Sequence, residues 1–257
     1  MSERPDDRRA GFAPFDQDVE KRGAYEYTDG SRFSAVLANQ RYTQMILSAV
    51  PFTDLDVVDV GAGDGTYTAE LARLSRARAI LGVEPSAPAV DRARSAFEKT
   101  ITNLRFSCEF TEDLIRSGRR FDVAVYRGVL HHVVDPREEI KRAVQLASRV
   151  VILEPNGLNP MMKLVEKVSP YHRRHKERSY SPGQVAQWIE EGGGTEIRFR
   201  FFGLVPYFCP DWLARAGHVV EPIVEAIPAL RGVVCGQYLM TFRGSSHAGE
   251  KSGDSGC

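Results

Sequence analysis

The chain has 257 residues, with 34 Lys+Arg against 34 Asp+Glu, 42% hydrophobic and 26% charged. That is the make-up of a globular protein of one domain with elaborations. The even charge balance argues against a nucleic-acid binder, which needs a basic track along phosphates.

Cys108, Cys209, Cys235 and Cys257 show no C-x-x-C spacing, so free thiols in a reducing compartment are expected. No apolar run reaches 18 residues, and the start MSERPDDRRAGF has no apolar h-region. The expectation is a cytoplasmic protein with no stable membrane insertion.

Residues 1–14 are charged and carry Gly and Pro, the signature of a disordered tail. Residues 15–50 form an expected N-terminal helical cap, with Phe33, Val36, Leu37, Tyr42, Met45, Ile46 and Ala49 at helical spacing over Arg32–Val50. The central stretch is Asp56–Thr68, DVVDVGAGDGTYT. It reads as a buried strand, a tight turn on Gly61, Gly63 and Gly65, and a helix start continued by Tyr67, Leu71 and Leu74. Glycine suits such a turn because it tolerates positive φ and lets a ligand lie against bare backbone.

Strand and helix then alternate. Ala79–Glu84 is a strand ending in an acid, and Ala87–Thr100 a helix with Val90, Ala93 and Phe97 inward. Leu104–Phe110 and Phe121–Tyr126 are strands, Pro136–Ala147 a helix, and Arg149–Glu154 a strand ending in a second acid. This pattern predicts a doubly wound α/β fold, with a parallel sheet covered on both faces and ligands at the carboxyl ends of the strands. After Pro155 the regularity loosens into a proline-rich segment with the basic cluster Tyr171–Arg178. A short helix at Ser181-Pro182, a strand Glu196–Phe202, an amphipathic insert Trp212–Val234 and a last strand Gln237–Phe242 follow. Pro222 and Pro228 would kink any single helix in that insert. Its apolar residues suit a lid or packing helix, with a dimer surface or a docking face for a lipid-linked substrate as the other readings. Residues 244–257, rich in Ser and Gly, form an expected disordered tail.

Two ligands compete for the glycine turn. A dinucleotide site has G-x-G-x-x-G, whereas here the third glycine comes one residue early and Asp59 and Asp64 would repel a pyrophosphate. Carboxylates instead suit a ligand with an ammonium and a sulfonium. The residues DVGAGDGTYT resemble the first motif of class I S-adenosylmethionine (SAM) methyltransferases. The run from Phe121-Asp122 through Leu130-His131-His132 to Asp135-Pro136 is similar to the fourth motif of many small-molecule members. The resemblance covers residues 30–155 motif by motif and the rest by layout.

The resemblance implies a mostly parallel seven-stranded sheet with an antiparallel last hairpin, and SAM as cofactor. Residues 51–155 are then the SAM-binding core, and 156–243 hold substrate-recognition inserts and C-terminal strands. Asp59, Gly61, Ala62 and Gly63 would hold SAM, with Asp64 near its amino-acid end. Glu84, one strand over, would accept from the ribose hydroxyls, and Pro85 turns the chain toward the adenine. Phe110 stands where the family commonly has Asp, which leaves Thr111 and Glu112 as candidates for the adenine edge. Backbone at Tyr126 and Arg127 would lie beside the methionine part. In the N-terminal segment, Tyr25 and Tyr27 either cap the site or pack on the helix.

Methyl transfer to a hydroxyl needs alignment, exclusion of water and removal of a proton. His131 and His132 follow the fourth strand, a histidine suits the base role, and Glu154 on the fifth strand is placed to orient one. In the alternative reading, one histidine packs and the other faces solvent. Tyr171, Arg173, Arg174 and His175 lie where the family inserts substrate-recognition segments; they make either an anion-binding patch or a solvated face. His172 and His175 lack an evident third ligand, so no metal is expected. The function implied is SAM-dependent methylation of a small molecule, O-methylation favoured over N or C, by a monomer or homodimer with no nucleic-acid partner. Rivals are a non-methylating protein of the same fold and a nicotinamide oxidoreductase.

Overall fold

The computed structural model of the protein describes residues 32–169, 178–205 and 209–245. The expected tail 1–14, residues 15–31 of the expected cap with Tyr25 and Tyr27, residues 246–257 of the expected C-terminal tail, and the cluster residues Tyr171, His172, Arg173, Arg174 and His175 all lie outside them.

Helix α1 (Phe33–Ala49) precedes β1 (Asp56–Val60), α2 (Thr66–Leu74), β2 (Ala79–Val83) and α3 (Ala87–Ala93), whose end widens into a π turn at Arg94–Glu98. Next come β3 (Leu104–Ser107), α4 (Thr111–Arg116), β4 (Phe121–Arg127), α5 (Pro136–Leu146) and β5 (Ala147–Pro155). The C-terminal part holds α6 (Pro160–Val168), α7 (Pro182–Glu191), β6 (Thr195–Phe202), α8 (Asp211–Ala226), α9 (Pro228–Val234) and β7 (Gln237–Arg243).

The seven strands form one sheet in the order β3-β2-β1-β4-β5-β7-β6. Neighbours from β3 to β5 pair in parallel, and β7 runs antiparallel to both β5 and β6. The reversed final pair is therefore present, with β7 inserted between β5 and β6 and β6 on the edge. The strand order changes direction between β1 and β4. That places a crevice at their carboxyl ends, where ligands bind in open α/β sheets.

Side-chain alternation divides the core between the two faces of the sheet. Val57, Val125, Val151 and Leu153 pack toward α1, α2 and α3 with Tyr42, Ile46, Leu71 and Val90. Val58, Val60, Ala124, Tyr126, Val150 and Ile152 pack toward α5 and α7 with Ile140, Val144, Val185 and Ile189.

Three helices open on a capping residue followed by proline. Asp135 Oδ1 accepts from Glu138 N at 3.0 Å, Asn159 Oδ1 from Met161 N at 2.8 Å, and Ser181 Oγ from Gln184 N at 3.2 Å. Each cap satisfies a first-turn donor, and proline at the first helical position forfeits none. The Trp212–Val234 insert resolves into two helices. Pro228 starts α9, while Pro222 sits within α8 without ending it. Helix α8 buries only Ala214 and Glu221. It is held to α1 by Arg41, which meets Glu221 at 3.3 Å and Glu225 at 2.7 Å.

Candidate functional site

The glycine turn leans on the end of β2. Gly61 N and Ala62 N both donate to Val83 O, at 2.8 and 3.0 Å. This draws the turn next to Glu84, whose Oε2 accepts from Gly63 N at 3.1 Å and whose Oε1 accepts from Ser86 N at 3.0 Å. Gly61 has φ +71°, and a Cβ there would stand 2.8 Å from Val129 Cγ2. Only glycine fits both the backbone and the space. Asp64 Oδ1 accepts from Thr66 N at 3.1 Å, so this acid caps the first turn of α2. Pro85 O accepts from the Cys108 thiol at 3.4 Å, tying the segment after β2 to the segment after β3.

Asp59 lies one residue before the end of β1, on the α1–α2 face, and is 7% exposed. Its Oδ2 accepts from Thr68 Oγ1 at 2.6 Å. Burial pushes its carboxyl up to about 6, while the Thr68 hydrogen bond and the Arg127 charge pull the other way. Asp59 lines a small pocket with Thr43, Ile46, Tyr67, Leu71, Val125 and Arg127.

The two ends of β4 and β5 meet the turn from the other side. Gly128 N donates to Leu153 O at 2.8 Å. Glu154, 1% exposed, uses Oε1 to accept from Val129 N and Leu130 N, both at 2.7 Å, and its Oε2 lies 2.7 Å from His131 Nδ1. The carboxylate accepts a hydrogen bond from Nδ1–H, and in the neutral imidazole that tautomer makes Nε2 the acceptor nitrogen. The His132 ring lies against His131 with centroids 3.9 Å apart and the planes tilted by 45°.

Tyr126 points away from the turn, its hydroxyl donating to Glu139 Oε1 at 3.2 Å. Burial raises Tyr126 well above the usual phenol range and also raises Glu139, with Thr111 and Arg142 lowering the latter. Thr111 opens α4 with its hydroxyl engaged by Glu139, so of these expected cofactor neighbours the side chains of Tyr126 and Thr111 build the β4–α5 core. Glu112 pairs with Arg116 at 2.5 Å on the exposed side of α4.

Sequence reasoning missed Thr68, Thr43 and Asn39. Thr68 sits three residues after Gly65, one turn into α2, a spacing that returns its hydroxyl toward the strand. No local signal marks Thr43 and Asn39, because their partner Arg127 lies 84 and 88 residues away.

The donor set fits SAM. Two buried carboxylates at the carboxyl ends of β1 and β2 complement an ammonium and a diol. The same acids would oppose a pyrophosphate. A family model described as a methyltransferase domain matches residues 35–197, more than half of the chain.

The chain belongs to the methyltransferase domain family. It is a class I SAM-dependent methyltransferase, with SAM as its cofactor. A Coxiella burnetii protein named ubiquinone biosynthesis O-methyltransferase is 24% identical over 201 residues, covering 71% of this chain and 85% of that one. An uncharacterized methyltransferase of Mycobacterium tuberculosis is 33% identical over 209 residues, covering 80% and 95%. Among solved structures, magnesium protoporphyrin IX methyltransferase from Synechocystis, with bound S-adenosylhomocysteine (SAH), matches with a TM-score of 0.62 at 15% identity, covering 92% and 98%. At that identity the likeness speaks to the fold.

Among the described residues, no helix is long and apolar enough to cross a membrane. No group of three or more His, Cys, Asp or Glu among them is placed to hold a metal ion.

Proposed function

We propose that this methyltransferase acts on a hydroxyl of a small-molecule acceptor, with His131 as the general base and Glu154 as the group that orients it. The observation that carries this reading is the 2.7 Å contact between Glu154 Oε2 and His131 Nδ1 at the carboxyl ends of adjacent strands. SAM supplies an electrophilic methyl on a sulfonium. A hydroxyl is a poor nucleophile until its proton leaves, and a base in hydrogen-bond reach contributes about a hundred- to ten-thousandfold. An amine arriving with its lone pair free has no such need. A histidine held in one tautomer by a buried carboxylate therefore favours an oxygen acceptor. The Coxiella relative, an O-methyltransferase by name, supports the same choice.

In this reading Asp59 faces the ammonium and Glu84 the ribose hydroxyls of the cofactor. The backbone of Gly61, Ala62 and Gly63 lines its path, and the 126–131 segment lies beside the methionine part. Glu154 anchors the loop that carries His131, because Val129 N and Leu130 N end on the same carboxylate. The acceptor enters over His131, which removes the hydroxyl proton as the methyl is transferred.

The test is a panel of phenolic, catecholic and alcoholic acceptors incubated with isotope-labelled SAM. His131→Ala should bind SAH as wild type does while losing about a hundredfold or more in kcat. Equal turnover in that variant would remove His131 from the reaction.

A further inference from the structure

We propose that Arg127 is a positioning residue, which pins α1 to the first turn of α2 beside the Asp59 carboxylate at the cofactor site. The inference rests on the assignment of SAM to the glycine turn. It concerns the side chain of a residue whose backbone alone was expected to matter.

Arg127 ends β4 on the same sheet face as Asp59. Its Nη1 donates to Thr43 Oγ1 at 2.9 Å, and its Nη2 to Asn39 Oδ1 at 2.8 Å and Asn39 O at 3.3 Å. The guanidinium carbon lies 3.8 Å from the centre of the Tyr67 ring, in the first turn of α2. One planar cation thus joins α1, α2 and β4 at the end where β1 delivers Asp59. A face-on stack combined with two forked bonds is a geometry that arginine supplies and lysine does not.

Arg127 and Asp59 line the same small pocket, and after the Thr68 hydrogen bond the Arg127 charge is a further influence favouring the ionised form of the buried Asp59. Among the described residues, the other groups around Asp59 are few. From α2 come the Thr68 hydroxyl, which bonds it, and Tyr67 and Leu71; from α1 come uncharged Thr43 and Ile46; β4 adds Val125. Glu70 of α2 is engaged by Thr43 Oγ1 at 2.8 Å, and Glu84 of β2 by Gly63 N and Ser86 N. With the carboxyl already pushed up to about 6, Asp59 is charged above that pH and neutral below it. Loss of the neighbouring cation moves this boundary upward.

The experiment is calorimetric titration with SAH from pH 5 to pH 8, with melting temperatures recorded alongside. Arg127→Gln should bind SAH about tenfold more weakly at pH 7, with the acid midpoint of binding raised by about one pH unit. Arg127→Lys should keep the wild-type midpoint but bind more weakly, since it restores the charge and not the fork. Asn39→Ala removes the α1 contact and spares the charge. It should weaken binding about three- to tenfold with no change of midpoint. If Arg127→Gln lowers only the melting temperature and its titrations superimpose on wild type, the inference is wrong. If Arg127→Gln does not fold, Arg127→Lys and Asn39→Ala titrations that match wild type overturn it equally. Failure of the wild-type chain to bind SAH would instead overturn the cofactor assignment, and the inference with it.

Discussion

Oε2 of Glu154 lies 2.7 Å from Nδ1 of His131, while the other oxygen of the same carboxylate closes the backbone of the loop that carries the histidine. Orientation and support thus come from one buried group. The two roles separate by substitution. Glu154→Gln keeps an acceptor for the loop but can present an N–H to Nδ1, which disfavours the productive tautomer. Its folding stability should stay within about 1 kcal/mol of wild type while kcat falls at least tenfold. Glu154→Ala strands two buried backbone donors and should cost about 2–5 kcal/mol, read as the midpoint of urea unfolding.

Asp59 trades stability for binding. Its carboxyl sits near 6 in the fold against 3.8 as the ordinary value, because burial disfavours the charge. The folded state therefore holds this proton more tightly than the unfolded one. The stability it contributes is full below about pH 4 and is lost as the pH rises through 6. Asp59→Asn retains an acceptor for Thr68 and removes the buried charge. In the ligand-free protein it should raise the melting temperature at pH 7.5, by the equivalent of at most about 3 kcal/mol. The advantage should shrink toward pH 5, and SAH affinity should fall at least tenfold. A variant less stable than wild type at pH 7.5 would contradict this.

Gly61→Ala meets two obstacles, a φ of +71° and a Val129 methyl 2.8 Å from the new Cβ. The backbone alone costs about 1–2 kcal/mol. Adding Val129→Ala should return the part due to the clash and leave the part due to φ. Urea midpoints of the single and double variants measure both.

Glu84→Ala removes the acceptor of Gly63 N and Ser86 N. It should weaken SAH binding by tenfold or more in calorimetry. Glu84→Gln should recover only part of the turn's stability and not the affinity, because Gly63 N and Ser86 N use both carboxylate oxygens and an amide offers one.

The legible parts of this protein were the local ones. The glycine turn, Asp59 before it and Glu84 after the next strand lie within 26 residues and follow one repeating βαβ rule. Glu154 was reachable in the same way, as the acid ending the strand beside His131. Between His131 and His132 the sequence could not choose, since both follow the same turn. The structure sets Nδ1 of His131 against Glu154, with the His132 ring tilted against it.

What was not legible depends on distant partners or weak patterns. Arg127 finds Asn39 and Thr43 across more than 80 residues. Helix α4 is only six residues long. Helix α6 hid in a proline-rich stretch, although Asn159-Pro160 is the same cap-and-proline start as Asp135-Pro136 and Ser181-Pro182. Its apolar residues Met161, Leu164 and Val168 are exposed, so burial gave it no pattern to follow. The chain after Pro155 is where the sheet reverses, and there the regular βαβ alternation stops guiding the eye.

Acceptor-dependent transfer of label from isotopically labelled SAM, followed by mass spectrometry of the product for wild type and His131→Ala, tests the account most directly. The account predicts an O-methylated product from wild type, and a loss of about a hundredfold or more in kcat for His131→Ala with SAH affinity unchanged. Label found only on nitrogen or carbon, or equal turnover by both proteins, would contradict it.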